Sequence, residues 1–440
     1  MRVTVVGAGK MGLPLACQFA NCGAEVVAVD LNAELVAAVN AGRCPIDEPG
    51  LADLLADVVG RGRLRATTDT GEAVRSSDAV VVIVPALLTD DRDIDVGTLQ
   101  AASAQIAEHL QPGTLVSYET TLPVGGTRRF LLPLLEESGL KAGEQFDLVF
   151  SPERVKSQRV LLHLATNAKI VGGLTPEGAA RGAEFYTRYL GTPVLNVETL
   201  EAAEAVKLAG MIYRDVNIGV ANELARYCED AGVDLSTLID AINTDGEAAL
   251  LAPGIGVGGH CTPIYPYFLI RDAERRGIEV PIASQARETN DGQAGHVLDR
   301  FERLCWPLRD RSVLILALAF RPEVKEHTCS TAFLLGDELA RRGAGRVRLH
   351  DPLYSVEEIE RHGFEPGTLE DDPCPEVLVL NTAHTAYRCL DFQALADRGL
   401  RAVIDGRNAW DPEEVRGAGL YYLGVGRPTQ AAGARLTVAA

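Results

Sequence analysis

The stretch GIGVGGHCTPIYP, Gly254–Pro266, sets one thiol and one imidazole, Cys261 and His260, between crowded glycines and prolines. Glycine loses the most chain entropy on ordering and proline lacks a backbone donor, so the composition suits neither helix nor strand. A shaped loop is expected, with backbone able to come close to a ligand. Three chemistries are open to Cys261: nucleophile, metal ligand or small apolar filler. A metal site needs partner ligands, and only His260 is near in sequence, so no metal is expected. Filler is the preferred reading for most of the other cysteines, Cys17, Cys22, Cys44, Cys228, Cys305, Cys329, Cys374 and Cys389. At Cys261 the neighbours Gly258, Gly259 and Pro263 favour the nucleophile.

A second pattern, GAGKMG, brings together Gly7, Gly9, Lys10, Met11 and Gly12 after the apolar run RVTVV and ahead of a helical stretch. Glycines there allow a tight turn and let backbone N–H groups approach a pyrophosphate at a helix N-terminus. Asp30 ends the next apolar run, about twenty residues on, where a carboxylate accepts from a ribose 2′-OH and repels a 2′-phosphate. The cofactor expected is therefore NAD rather than NADP. A nucleophilic thiolate together with NAD suggests aldehyde oxidation through a thioester.

Elements must position these groups. Over the first 120 residues or so, RVTVV, EVVAV, AVVVIV and TLVSY alternate with helical patterns at Met11–Asn21, Ala33–Ala41 and about Leu99–His109. FDLVF and AKIVGG extend the series. Apolar strands with helices between them imply a parallel, doubly wound sheet. Thr199–Ala231 has no proline and reads as one long helix. Its Gly210 and Gly219 each cost about 1 kcal/mol against alanine and mark close packing. RSVLILALAF opens a second α/β series with Thr331–Arg342 helical and VRLHD, EVLVLN and AVIDG as strands. Its first strand lacks a following GxGxxG and is a poor site for a second dinucleotide. The domains expected are 1–198, 199–305 and 306–428, with 429–440 a loose tail.

The chain has 440 residues, enough for about three domains, and its formal net charge is −19. That charge argues against a nucleic-acid surface. The nine cysteines are odd in number, irregularly spaced and without CxxC, as in a reducing compartment. No apolar run approaches the ~18 residues of a membrane span, so no membrane partner and a cytoplasmic location are expected.

The motifs VVGAGKMGLPLA, Val84–Pro85, ETTLPVGGT, SPERV, EAAEAVKL, YRDVNI, NEL, GVGGHCTPIYPYFL and HDPLY stand in one order along the chain. In this they resemble the nucleotide-sugar 6-dehydrogenases, the UDP-glucose/GDP-mannose dehydrogenase family. The GHC form is similar to the UDP-N-acetylglucosamine and UDP-N-acetylmannosamine branch. The resemblance covers almost the whole chain. It implies two Rossmann-like, doubly wound parallel-sheet domains joined by a long central helix, with the active site in the cleft between them. It implies a homodimer about that helix, and a place in polysaccharide biosynthesis.

The chemistry implied is a double oxidation of a sugar C6 alcohol to the carboxylate with two NAD. Cys261 would carry the thiohemiacetal and thioester, Lys207 would hold the oxyanion, Glu153 would be the general base and Thr121 would place the water. Gly7, Gly9, Lys10, Met11, Gly12, Asp30, Val84, Pro85 and Thr121 would bind NAD. Arg154, Val155, Lys207, Arg214, Gly258, Gly259, His260, Arg321 and Lys325 would contact a UDP-sugar. Asn217 could serve substrate or structure, while Asn222 and Glu223 read as buried polar ties. His384 and Arg407 follow C-terminal strands, where nucleotides bind in α/β sheets. Two places depart from the family: Met211 stands where asparagine is common one turn after the lysine, and Tyr265 where aspartate is common four residues after the cysteine. Neither replaces the lost group, since methionine donates no hydrogen bond and tyrosine is neutral at pH 7. A single-step oxidation, an epimerisation, or a binding protein without turnover are therefore the alternatives.

Overall fold

The computed structural model describes residues 1–428. The expected tail, 429–440, lies outside them. The chain forms two compact units, one of Met1–Gly210 with Tyr267–Ile278, the other of Met211–Pro266 with the described residues from Glu279 on.

The first unit holds an eight-stranded sheet. Its strands are β1 Arg2–Val6, β2 Glu25–Val29, β3 Leu64–Thr67, β4 Ala79–Val82, β5 Leu115–Tyr118, β6 Asp147–Phe150, β7 Lys169–Gly173 and β8 Val194–Thr199, in the order β8-β7-β6-β5-β4-β1-β2-β3. Inner strands such as β4 and β5 are buried at every residue because helices cover both faces, and this is why they read as continuous apolar runs. The order reverses at β1, which pairs in parallel with β2 on one side and β4 on the other. That switch point leaves a crevice at the carboxyl ends of the strands. The sheet is not wholly parallel: β6 and β7 run antiparallel, Val149 opposite Gly173 and Phe150 opposite Gly172. Val3, Val5, Leu13, Phe19, Val81, Phe185 and Tyr186 belong to its core.

The second unit holds a six-stranded parallel sheet. Its strands are β9 Ser312–Leu316, β10 Arg346–His350, β11 Glu365–Pro366, β12 Val377–Leu380, β13 Ala402–Asp405 and β14 Tyr421–Gly424, ordered β11-β10-β9-β12-β13-β14. The sequence reading finds the inner strands of both sheets and misses β3, β8, β11 and β14. Each of these is the outermost strand of its sheet. With one neighbour, an edge strand needs no long apolar run.

Leu200–Ala231 is one 32-residue helix, as the sequence predicts. Of its two glycines, Gly219 packs closely, since a Cβ there would lie 3.2 Å from Ala286, but Gly210 has open space and does not mark a contact. Asn222 is a buried tie, donating to Asn290 and accepting from the Gly254 N–H, whereas Glu223 is exposed. Asn217 also serves structure, bonding the backbone of Ala249 and Leu251.

The N-terminal turn of this helix anchors the loop after β5. Glu204 is fully buried and accepts from the Gly125 N–H (2.5 Å), the Thr127 N–H (2.8 Å) and the Thr127 hydroxyl (2.6 Å). Burial pushes its carboxyl above the usual range, and those three donors hold it down in part. Glu204→Ala leaves three buried donors unmatched and is expected to cost about 1–3 kcal/mol. The measurement is the thermal unfolding midpoint, with Glu204→Gln, which keeps one acceptor oxygen, losing less.

Candidate active site

In the first unit the GAGKMG turn leaves β1 at the switch point. Gly7 has φ +99, a conformation that only glycine adopts freely, and a Cβ there would sit 3.1 Å from the Val84 nitrogen. Gly12, the first residue of helix Gly12–Asn21, has no room for a Cβ, which would overlap the Gly7 carbonyl oxygen. Gly9 faces open space, with nothing within 4 Å of an added Cβ. Lys10 is exposed, and Met11 is partly buried against the core. Asp30, one residue past β2, accepts from the Ala8 N–H and the Asn32 N–H, each at 3.0 Å, so its carboxylate borders the glycine turn. Val84 and Pro85 follow β4, and the Thr120 hydroxyl donates to the Val84 carbonyl at 2.5 Å. Bare backbone at a helix N-terminus, beside a carboxylate at the end of the second strand, fits a dinucleotide.

The loops after β5 and β6 carry Thr121 and Glu153. Thr121 is 3% exposed. One Glu153 carboxylate oxygen accepts from the N–H groups of Arg154 (2.6 Å) and Val155 (3.0 Å), and the other from the Lys169 ammonium at 3.1 Å. Burial opposes its ionisation, but the Lys169 charge and these donors outweigh it, and its carboxyl lies below the usual range. Lys207, buried on the long helix, donates to the Glu153 carbonyl at 2.5 Å. The exposed Arg154 turns back to donate to the Ala168 carbonyl, and Val155 is partly buried against the core.

Sequence reading misses two members of this cluster, Lys169 and Glu119. Lys169 lies between the two carboxylates, 2.6 Å from Glu119 and 3.1 Å from Glu153. The available signal was a lysine opening the apolar run KIVGG, where an unpaired ammonium would be costly.

In the second unit the cysteine loop is held by close packing. A Cβ on Gly258 would lie 2.5 Å from the Phe320 side chain and one on Gly259 3.0 Å from its ring, and Gly259 has φ +108. The Gly259 N–H donates to the Thr328 carbonyl at 2.8 Å. These glycines thus serve the packing of the loop itself. Cys261 is partly exposed, and its carbonyl accepts from Ile264 (3.1 Å) and Tyr265 (2.9 Å), the turn that starts helix Tyr265–Arg275. Beneath it, the buried Arg287 donates to the Thr262 carbonyl and to Asp215, both at 3.0 Å. Half-exposed His260 stands 3.9 Å from Glu326.

The remaining candidates are spread over this unit. Arg214 is exposed on the long helix and Arg321 is partly exposed. The Lys325 ammonium bonds both Glu358 oxygens at 2.7 Å. His384 is fully buried and accepts from the Glu323 N–H at 3.1 Å, while Arg407 donates to the Asn381 carbonyl at 2.7 Å.

Profiles of the UDP-glucose/GDP-mannose dehydrogenase family match three stretches: the NAD binding domain at residues 1–190, the central domain at 201–292 and the UDP binding domain at 314–412. An NDP-N-acetyl-D-galactosaminuronic acid dehydrogenase of Ralstonia solanacearum is 32% identical over 94% of this chain and 97% of its own. A UDP-N-acetyl-D-mannosamine dehydrogenase of Pyrococcus horikoshii is 30% identical over 97% and 99%. The solved UDP-D-ManNAc dehydrogenase structure from Pyrococcus horikoshii superposes with a TM-score of 0.87 at 29% identity, covering 97% of this chain and 99% of that one. A UDP-glucose dehydrogenase from Pyrobaculum islandicum gives 0.86 at 28% identity, covering 97% and 98%. Two Rossmann-like sheets, a long central helix, the glycine turn with Asp30 and these matches agree with the motif resemblance: the chain belongs to the UDP-glucose/GDP-mannose dehydrogenase family and is an NAD-dependent oxidoreductase.

Proposed function

We propose that this chain oxidises the C6 alcohol of a UDP-linked hexose or N-acetylhexosamine to the uronic acid through a covalent adduct on Cys261. The observation that carries the reading is a partly exposed thiol on a turn fixed by glycine packing. The names of the relatives support an N-acetylhexosamine. NAD, when bound, supplies the hydride acceptor for both oxidations, held by Gly7, Gly9, Lys10, Met11, Gly12, Asp30, Val84, Pro85 and Thr121.

The first oxidation yields an aldehyde. The Cys261 thiolate adds to its carbonyl, forming a C–S bond, and the displaced π electrons make an oxyanion. The Lys207 ammonium stabilises that charge, a task in which one fixed donor is worth about 3–4 kcal/mol. Oxidation of the thiohemiacetal gives a thioester. Glu153 takes a proton from water placed by Thr121, hydroxide adds to the carbonyl, and the C–S bond breaks to return the thiolate. Arg154, Val155, Arg214, Gly258, Gly259, His260, Arg321 and Lys325 contact the substrate in this reading. A second reading, a single oxidation or an epimerisation, is favoured by Met211 and Tyr265 alone, which bring neither an amide nor a carboxylate.

We infer further that the chain is a homodimer. Tyr213, Val220, Leu224 and Tyr227 on the long helix are 63%, 48%, 36% and 71% exposed and recur at helical spacing, an apolar stripe suited to a second copy. A cytoplasmic location and a role in polysaccharide biosynthesis belong to the same proposal.

Four outcomes are expected. Counting NADH against sugar consumed, with product mass, gives two per sugar and an acid. One NADH with an aldehyde, or none net, establishes the second reading. Cys261→Ser abolishes acid without loss of NAD binding, and Lys207→Ala lowers kcat at least about a hundredfold; normal acid from either removes that residue from the mechanism. NAD is preferred over NADP by kcat/KM, and Asp30→Ala narrows the gap. Light scattering shows a dimer that Tyr227→Glu dissociates.

A further inference from the structure

Behind Glu153 lies a set of buried ionic groups that the proposed reaction does not use. Lys169, the first residue of β7, is 5% exposed and is shared by two carboxylates. Its ammonium lies 2.6 Å from Glu119, just past β5, and 3.1 Å from Glu153, past β6. The other Glu119 oxygen accepts from the Tyr186 hydroxyl at 2.7 Å, whose oxygen is 2.7 Å from that of Ser117. The Lys169 nitrogen also stands 5.1 Å from the Tyr186 ring centre. From the long helix comes Lys207, on the Glu153 carbonyl. Glu119, Glu153, Lys169, Tyr186 and Lys207 are thus the titratable groups that meet here, one from each packed element.

A carboxylate beside an ammonium and backbone N–H donors is easily made too stable to be a base. Nearby positive charge lowers a carboxyl pKa by about 1–3 units, whereas a general base works best near the operating pH. We propose that Lys169 and Glu119 are positioning residues that together set the basicity of Glu153: Lys169 holds its carboxylate ionised and aimed, and Glu119 shares the same ammonium only while it is itself ionised, yielding it wholly to Glu153 once protonated. This rests on Glu153 acting as the base for thioester hydrolysis. Charge directions agree with the geometry. Burial pushes the Glu119 carboxyl up to about 7 against the pull of Lys169, while the Glu153 carboxyl stays below the usual range. The arrangement therefore has the more deeply buried acid give way first, and leaves Glu153 charged.

Two measurements on the full chain test this. The Glu153 carboxyl is titrated by carbon NMR in glutamate-labelled protein, its signal assigned by loss in Glu153→Gln. The acid limb of kcat against pH is taken from acid formation with NAD present. Because Glu119 takes up its proton first, near pH 7, Glu119→Gln leaves the Glu153 titration in place and abolishes the separate carboxyl step near pH 7. Removing positive charge by Lys169→Met moves the Glu153 titration and the limb to higher pH, by about one to three units, and Lys169→Arg restores them. If Lys169→Met fails to fold, Glu119→Gln and the double variant Glu119→Gln/Lys169→Met carry the test, the double lying above the unmodified enzyme. A Glu153 titration that stays fixed in Lys169→Met, or the absence in the unmodified enzyme of a carboxyl step near pH 7 that Glu119→Gln abolishes, overturns the proposal. Titrations that move as expected while the rate limb ignores them, and survives Glu153→Gln, uphold the charge sharing and remove Glu153 as the base.

Discussion

An ammonium group cannot be left unpartnered in a protein interior, and this chain buries two, Lys169 and Lys207. Much of the first unit's site follows from that requirement. Lys207 finds the main-chain carbonyl of Glu153, which draws the loop after β6 against the long helix. Lys169 finds Glu119 and Glu153, which ties the ends of β5 and β6 to the start of β7. Glu204 then fixes the rest of the loop after β5 from the same helix, by three donors. Four elements are therefore tied to one another by charge and hydrogen bonding as well as by their apolar core, and Thr121 and Glu153 lie beside these ties.

The second unit solves its positioning problem differently. Its Cys261 thiol rides on a loop whose glycines are occupied by neighbours: Phe320 stands where Cβ atoms of Gly258 and Gly259 would be, and Thr331 where that of Gly256 would be. Arg287 supports the turn from below through the Thr262 carbonyl, with its own charge met by Asp215 and Asp291. Burial pushes the Asp215 carboxyl up to about 6, against the pull of Arg287. Such a loop holds the thiol in place without enclosing it, since Cys261 stays partly exposed.

Inner strands were legible because burial on both faces demands an apolar residue at nearly every position, as in AVVV of β4 and AVID of β13. Edge strands such as LRAT and VLNVET, with solvent on one side, carry arginine, asparagine and glutamate and leave no such trace. Side-chain roles divide in the same way. Asn222 and Glu223 are neighbours of similar polarity on one helix, yet the first is buried between Asn290 and Gly254 and the second is exposed. Only the rotation of the helix against its surroundings separates them.

By itself the sequence determined what is local. The glycine turn after an apolar strand, the aspartate ending the next one, the proline-free 32-residue helix and the cysteine among glycines are each written in contiguous residues. Backbone conformation and strand burial answer to near neighbours along the chain, so such features can be read. What only the tertiary structure decided is which distant groups share a charge. Glu119, Glu153 and Lys169 are separated in sequence by strands and loops, and nothing in their local surroundings says that one ammonium serves two carboxylates. Electrostatic partnership depends on distance through the fold and on exclusion of water, and both come into being only when β5, β6 and β7 lie side by side.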